Sequence, residues 1–299
     1  MARLFNSYII VDWSAASKPV EGPDSIWIGA LAPNARNQLV FRASNPSTRA
    51  KAEAEINELL SVYAKRGDRT LVGFDFPLGF PEGSAKALKL RNETPWAETW
   101  DFIAKGIRDK PDNTNNRFVL GARMNHVISG EAFPFWGCPP RDEVSTLKAK
   151  RFRAHEAGEL PEFRRAEIAA KGAQPVWKLY YNASVGGQAL TGIPIVKRLR
   201  EAPARVETSR VWPFETGWKS LSDSDLEGVE VVFAEVFPSS LKPVVKPGEV
   251  KDEVQVRTMA EHFAKLDQAG KLGELFGPRT RPDDADIIER EEGWILGAQ

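Results

Sequence analysis

Cysteine is nearly absent from this chain: Cys138 is the only one in 299 residues. An intrachain disulfide is thereby excluded, and the chain suits a reducing compartment. No secretory layout precedes its first apolar strand, so the expected location is cytoplasmic. Histidine is scarce as well. His126, His155 and His262 lie far apart and lack zinc-site spacing. No apolar run approaches the ~20 residues that cross a bilayer, so no membrane partner is expected. Net charge is missing too, with Lys+Arg and Asp+Glu balanced at 41 each. No global field then draws the chain to nucleic acid, and any basic surface has to be local. Also lacking are a Gly-rich phosphate loop ending in Lys-Ser/Thr and a dinucleotide fingerprint.

What is present is a set of buried-looking strands that end on acids. Tyr8–Val11 is apolar throughout, as in a strand covered on both faces, and runs straight into Asp12. Ser25–Leu31 and Gln38–Arg42 are strand-like, with a turn between them. Ser47 or Thr48 can cap a helix that runs to Lys65 and stops at Gly67. Leu71–Phe74 is a second apolar strand, ending on Asp75, and Val231–Ala234 a third, ending on Glu235. A last helix is expected over Asp252–Ala269, with Val256, Met259, Ala260, Phe263 and Leu266 at helical spacing. The tail Glu292–Leu296 suits a further strand.

This order, three strands, helix, strand, insertion, strand and helix, predicts one α/β domain with a mixed sheet. Its core covers about 1–82 and 229–299. An irregular, mostly helical subdomain is inserted at about 83–228, where proline and tryptophan concentrate. Short helices are expected at Ala97–Arg108 and Glu162–Lys171. The tryptophans (Trp96, Trp100, Trp136, Trp177, Trp212, Trp218) fit a subdomain core that roofs the sheet edge. Arg141–Lys171 interleaves Lys150, Arg151 and Arg153 with Glu156, Glu159 and Glu162, and reads as a solvated helical face rather than a nucleic-acid groove. Ser184-Val185-Gly186-Gly187-Gln188 reads as a tight turn rather than a phosphate cradle. Cys138 reads as a buried or turn residue rather than a nucleophile.

Parallel strands joined by crossovers present their C-terminal ends on one sheet edge. If the three acid-ending strands are neighbours, Asp12, Asp75 and Glu235 meet there. Clustered carboxylates repel one another, and a hard divalent cation with oxygen ligands relieves that repulsion. Asp252, in Lys251-Asp252-Glu253, offers a fourth, although an acid at a helix start also suits the helix dipole without any metal.

Val11-Asp12-Trp13-Ser14, Gly73-Phe74-Asp75-Phe76-Pro77-Leu78-Gly79 and Ala234-Glu235-Val236-Phe237-Pro238 resemble a bacterial family described as domain of unknown function four-two-nine, thought to share the ribonuclease-H-like fold. Pro134–Pro139, Ser184–Pro194 and Glu292–Leu296 are similar to one branch of it. The resemblance implies a ribonuclease-H-like mixed sheet. It also implies Mg²⁺ or Mn²⁺ held by Asp12, Asp75, Glu235 and Asp252 as catalytic and metal-ligating residues, and hydrolysis of phosphodiesters. The expected partner is then a nucleic acid or a phosphate-containing small molecule. A small-substrate phosphate or nucleotide enzyme, and a non-catalytic accessory protein with relic acids, stand as alternatives.

Overall fold

The computed structural model describes residues 3–280 and 282–298. Six strands form one mixed sheet: β1 (Ser7–Asp12), β2 (Trp27–Pro33), β3 (Leu39–Ser44), β4 (Thr70–Phe74), β5 (Ser209–Val211) and β6 (Val231–Glu235). Their spatial order is β3-β2-β1-β4-β6-β5. The β1–β2 and β2–β3 pairs are antiparallel, whereas β1–β4, β4–β6 and β5–β6 are parallel. The α-helices among the described residues are α1 (Arg49–Lys65), α2 (Ser84–Ala87), α3 (Pro95–Gly106), α4 (Arg117–Ile128), α5 (Arg165–Ala169), α6 (Val185–Arg200), α7 (Lys251–Gln268) and α8 (Ala285–Ile287).

The period of two in the strands sorts side chains onto two faces. Ile9, Val11, Val72, Phe74 and Phe233 face a core shared with Ala52, Ile56 and Leu60 of α1 and Leu190, Ile193 and Val196 of α6. Tyr8, Ile10, Leu71, Val232 and Ala234 face a second core with Val256, Met259, Ala260 and Phe263 of α7. The apolar runs of β1, β4 and β6 are explained by this double coverage. Thr48 caps α1 as expected, its hydroxyl accepting from the Lys51 amide at 3.3 Å.

Three expectations about the middle of the chain change. The span 83–228, expected as a mostly helical insert, also supplies a strand of the sheet: β5 pairs with β6, and α6 packs directly on the α1 face. Arg141–Lys171 is not a continuous helical face, since among the described residues only the 3-10 turn Pro140–Asp142 and the short α5 are helical there. Pro161 and the positive-φ Gly158 break the run, and the charges pair locally, Arg153 with Glu159 at 2.7 Å and Arg151 with Glu162. Ser184–Gln188 is not a tight turn but the start of α6. A Cβ on Gly186 would stand 2.1 Å from the Val176 carbonyl oxygen, so the glycine is there for close approach of backbone. The tail forms a single bridge, Ile295 to Glu235, rather than a strand.

The tryptophans do build core. Trp13, Trp100, Trp177 and Trp212 are fully buried, and Trp96 stacks on Phe214 at 4.9 Å. Cys138 is buried, and burial raises its thiol pKa to about 11, as suits a packing residue. No helix among the described residues is long and apolar enough to cross a membrane.

Candidate active site

The ends of β1 and β4 and the start of α7 open into one cleft of about 870 Å³. Register decides which acids gather there. Val11 pairs with Phe74, which sets Asp12 level with Asp75 on the α7 face of the sheet. Phe74 pairs with Glu235, one residue earlier in the alternation. Glu235 therefore belongs to the opposite parity, since a one-residue offset turns a side chain to the other face.

Asp12 and Asp75 share a side-chain hydrogen bond. Burial, then the Asp75 charge and that hydrogen bond, push the Asp12 carboxyl well above the usual carboxylate range, with Asp252 and Asp24 adding to the push. Burial raises Asp75 to about 6, opposed by the Asp12 hydrogen bond and by the Trp13 amide, which donates to Asp75 Oδ1 at 2.7 Å. Asp252 accepts from the Asp24 amide at 2.7 Å, and burial raises its pKa. Asp24 is itself exposed and sits in the left-handed region at φ 58°. The cleft thus concentrates Asp12, Asp75, Asp252 and Asp24 on one wall.

The loop that carries Trp13 is pinned from behind. Arg49, fully buried, donates to the Ser14 and Ala16 carbonyls at 3.0 and 2.8 Å. Its remaining guanidinium donors grip Asp109, with two bonds of 2.6 Å, and the Asn113 carbonyl at 2.8 Å. Such a clamp fixes the strand-end aspartate against the insertion.

Glu235 reaches the same cleft but is committed elsewhere. Its two oxygens accept from Arg164 Nη1 and Nη2 at 2.9 and 2.6 Å, and Oε2 also accepts from the Leu78 amide at 3.1 Å. Arg164 also pairs with Glu167 and donates to the Glu292 carbonyl at 2.7 Å. Burial disfavours the Arg164 charge, and the two glutamates more than restore it, so its pKa lies above the ordinary value. For Glu235, burial wins over the pull of Arg164 and raises its pKa to about 7. One guanidinium answers two buried carboxylates, so the triad stays close to neutral when one of them holds a proton. The Phe-Pro-Leu-Gly segment after Asp75 serves this packing: a Cβ on Gly79 would lie 2.2 Å from the Glu292 carbonyl oxygen.

All four expected acids line the cleft, with Asp12, Asp75 and Asp252 acting on one another while Glu235 is taken up by Arg164. As placed, no group of three or more His, Cys, Asp or Glu side chains among the described residues is arranged to hold a metal ion. The donors are nonetheless all oxygen, and two carboxyls share one hydrogen bond. That set suits a hard cation of the Mg²⁺ kind, which is commonly held by one or two carboxylates and completed by water and substrate phosphate. It does not form a four-carboxylate cage.

Sequence reading missed Asp24, Arg117 and Arg164. Arg164 lies in a charge-rich stretch and has no pattern that marks burial. Asp24 carried only a turn signal, Gly22-Pro23-Asp24. Arg117, Tyr180, Tyr181 and the first residues of α6 also line the cleft. Searches against family models, curated proteins and solved structures return no match to this chain.

Proposed function

We propose that the chain is a divalent-metal-dependent phosphodiester hydrolase, nuclease-like in chemistry, with its reaction centre at Asp12 and Asp75. The observation that carries the reading is the Asp12–Asp75 pair: two carboxyls at adjacent parallel strand ends, level in register and, among the described residues, without a basic partner. The strand order supports a ribonuclease-H-like reading of the sheet. Three antiparallel strands lead into β4 and β6, and β5 is an added edge.

Asp12 and Asp75 would hold Mg²⁺ or Mn²⁺, with Asp252 near enough to bias it electrostatically. A bound ion would supply charge stabilisation at phosphorus and a more acidic water. The chain's own residues do the positioning. The Trp13 amide fixes the Asp75 carboxylate, the Asp24 amide fixes Asp252, and the Arg49 clamp holds the intervening loop. Glu235 keeps the β6 end in place through Arg164 and the Leu78 amide.

The cleft volume lies within the ~300–1,000 Å³ of small-ligand sites. This favours a small phosphate ester or a single strand over a duplex, and it sustains the small-substrate alternative. Calorimetric titration of metal-free protein with Mn²⁺ tests the reading. Saturable binding that Asp12→Asn and Asp75→Asn both abolish is expected, together with metal-dependent cleavage of a simple phosphodiester. Silence in the titration with and without an oligonucleotide would sink it.

A further inference from the structure

Arg117 opens α4 and is 6% exposed, yet among the described residues no carboxylate lies within ion-pair distance of it. Its Nη1 donates to Ser17 Oγ at 2.8 Å and Asn115 Oδ1 at 3.0 Å, and its guanidinium lies 4.2 Å from the Phe118 ring centre. The Nε is buried with no partner. A buried guanidinium without a counter-ion is costly, and this one lines the same cleft as the carboxylates.

Beside it stands the first turn of α6, a sixteen-residue helix. Ser184 makes no side-chain cap bond, and its hydroxyl is left for another partner. Gly187 makes the juxtaposition possible: a Cβ there would approach Arg117 Cδ to 3.3 Å and the Leu179 carbonyl to 2.8 Å. At the mouth, Tyr180 and Tyr181 are 36% and 47% exposed, with ring centres 4.8 Å apart. Tyr181 and Ala183 are held at φ 75° and 56°, so the loop accepts strain to present this surface.

We propose that Arg117 and the start of α6 form a subsite for a phosphate group, and that Tyr180 and Tyr181 stack the base attached to it. The cleft would then take a nucleotide unit, either free or at the end of a single strand. A cation at a helix N-terminus suits phosphate, and exposed aromatics suit any base. The proposal names the substrate class for the hydrolase reading and rests on that reading for its catalytic meaning, but the subsite itself needs no metal.

The test is calorimetry on the whole chain in EDTA, with AMP, adenosine and a short single-stranded oligonucleotide as probes. AMP is expected to bind wild type at least roughly tenfold more tightly than adenosine, the range for a hydrogen-bonded charge. Arg117→Gln should erase that advantage, Arg117→Lys should keep part of it, and Tyr181→Ala should weaken AMP and adenosine alike. Equal affinity of wild type for AMP and adenosine overturns the proposal without reference to any variant. So does full retention of AMP binding by a folded Arg117→Gln protein. The oligonucleotide arm separates the sources: tighter binding than AMP points to a strand end, equal or weaker binding to a free nucleotide. AMP binding in EDTA beside a failed Mn²⁺ titration would leave the subsite standing and remove the hydrolase reading. The reverse pattern would remove the subsite alone.

Discussion

Neighbouring strand ends of one sheet treat their acids in opposite ways. Asp12 and Asp75, at the ends of β1 and β4, press against each other with no cation beside them among the described residues. Glu235, one strand further on β6, is gripped by a buried arginine and a backbone amide. Both sites are desolvated, so burial alone does not separate them. What separates them is whether the protein supplies the compensating charge. Where it does, the acid is part of the architecture. Where it does not, the fold carries repulsion that only a proton or a bound ion relieves.

That contrast breaks most visibly at Arg164. Arg164→Met strands Glu167 and Glu235 without a cation and should cost about 3–5 kcal/mol of stability in urea unfolding at pH 7. A loss below about 1 kcal/mol would mean that the triad is not the brace described here. Asp12→Asn should act in the other direction, raising stability at pH 7–8 by about 1–2 kcal/mol as like-charge repulsion disappears, while abolishing Mn²⁺ binding. Glu235→Gln sharpens the distinction. It should destabilise the fold yet leave Mn²⁺ affinity unchanged, and a lost titration signal in a folded Glu235→Gln protein would place that glutamate with the metal after all.

The acidic pair also sets a pH dependence. The folded value of Asp75, about 6, stands above its ordinary 3.8. The folded state therefore binds the proton more tightly, and this contribution favours folding most below about pH 4. It declines as pH rises through 6. Asp75→Asn should flatten that part of the stability profile, and an unchanged slope would remove Asp75 as its source. The smallest effect belongs to Asp24. It is exposed, so Asp24→Asn should change stability only within about 0.5 kcal/mol, and less still in high salt.

How much of this was legible in the sequence follows from the kind of signal each element leaves. Runs such as Tyr8-Ile9-Ile10-Val11 before Asp12 mark both a doubly covered strand and its exit, so β1, β4 and β6 and their terminal acids could be read directly. Register could not. Nothing in Val231–Glu235 shows that Glu235 pairs with Phe74 rather than with Asp75, and that single step separates a cluster of three strand-end acids from a pair. Arg164 and Arg117 were hidden for a related reason. An arginine in a polar stretch looks solvated until the partners 71 residues away, or the absence of one, are placed in space. The start of α6 was misread because Gly186 and Gly187 signal a turn locally, whereas their role is to let backbone and Arg117 come close.

The bridge between Ile295 and Glu235 has a consequence for the order in which the protein is built. The Leu296 amide donates to the Glu235 carbonyl at 2.9 Å, and the Glu292 carbonyl accepts from Arg164. Besides β4, Leu78 and Arg164, which precede it, the β6 end is therefore completed by residues synthesised some sixty positions later. Asp12 and Asp75, by contrast, can pair as soon as the first 75 residues have emerged. A nascent chain consequently carries its repelling carboxylates before it owns the segment that buttresses the neighbouring strand. Long-range closure of this kind slows folding.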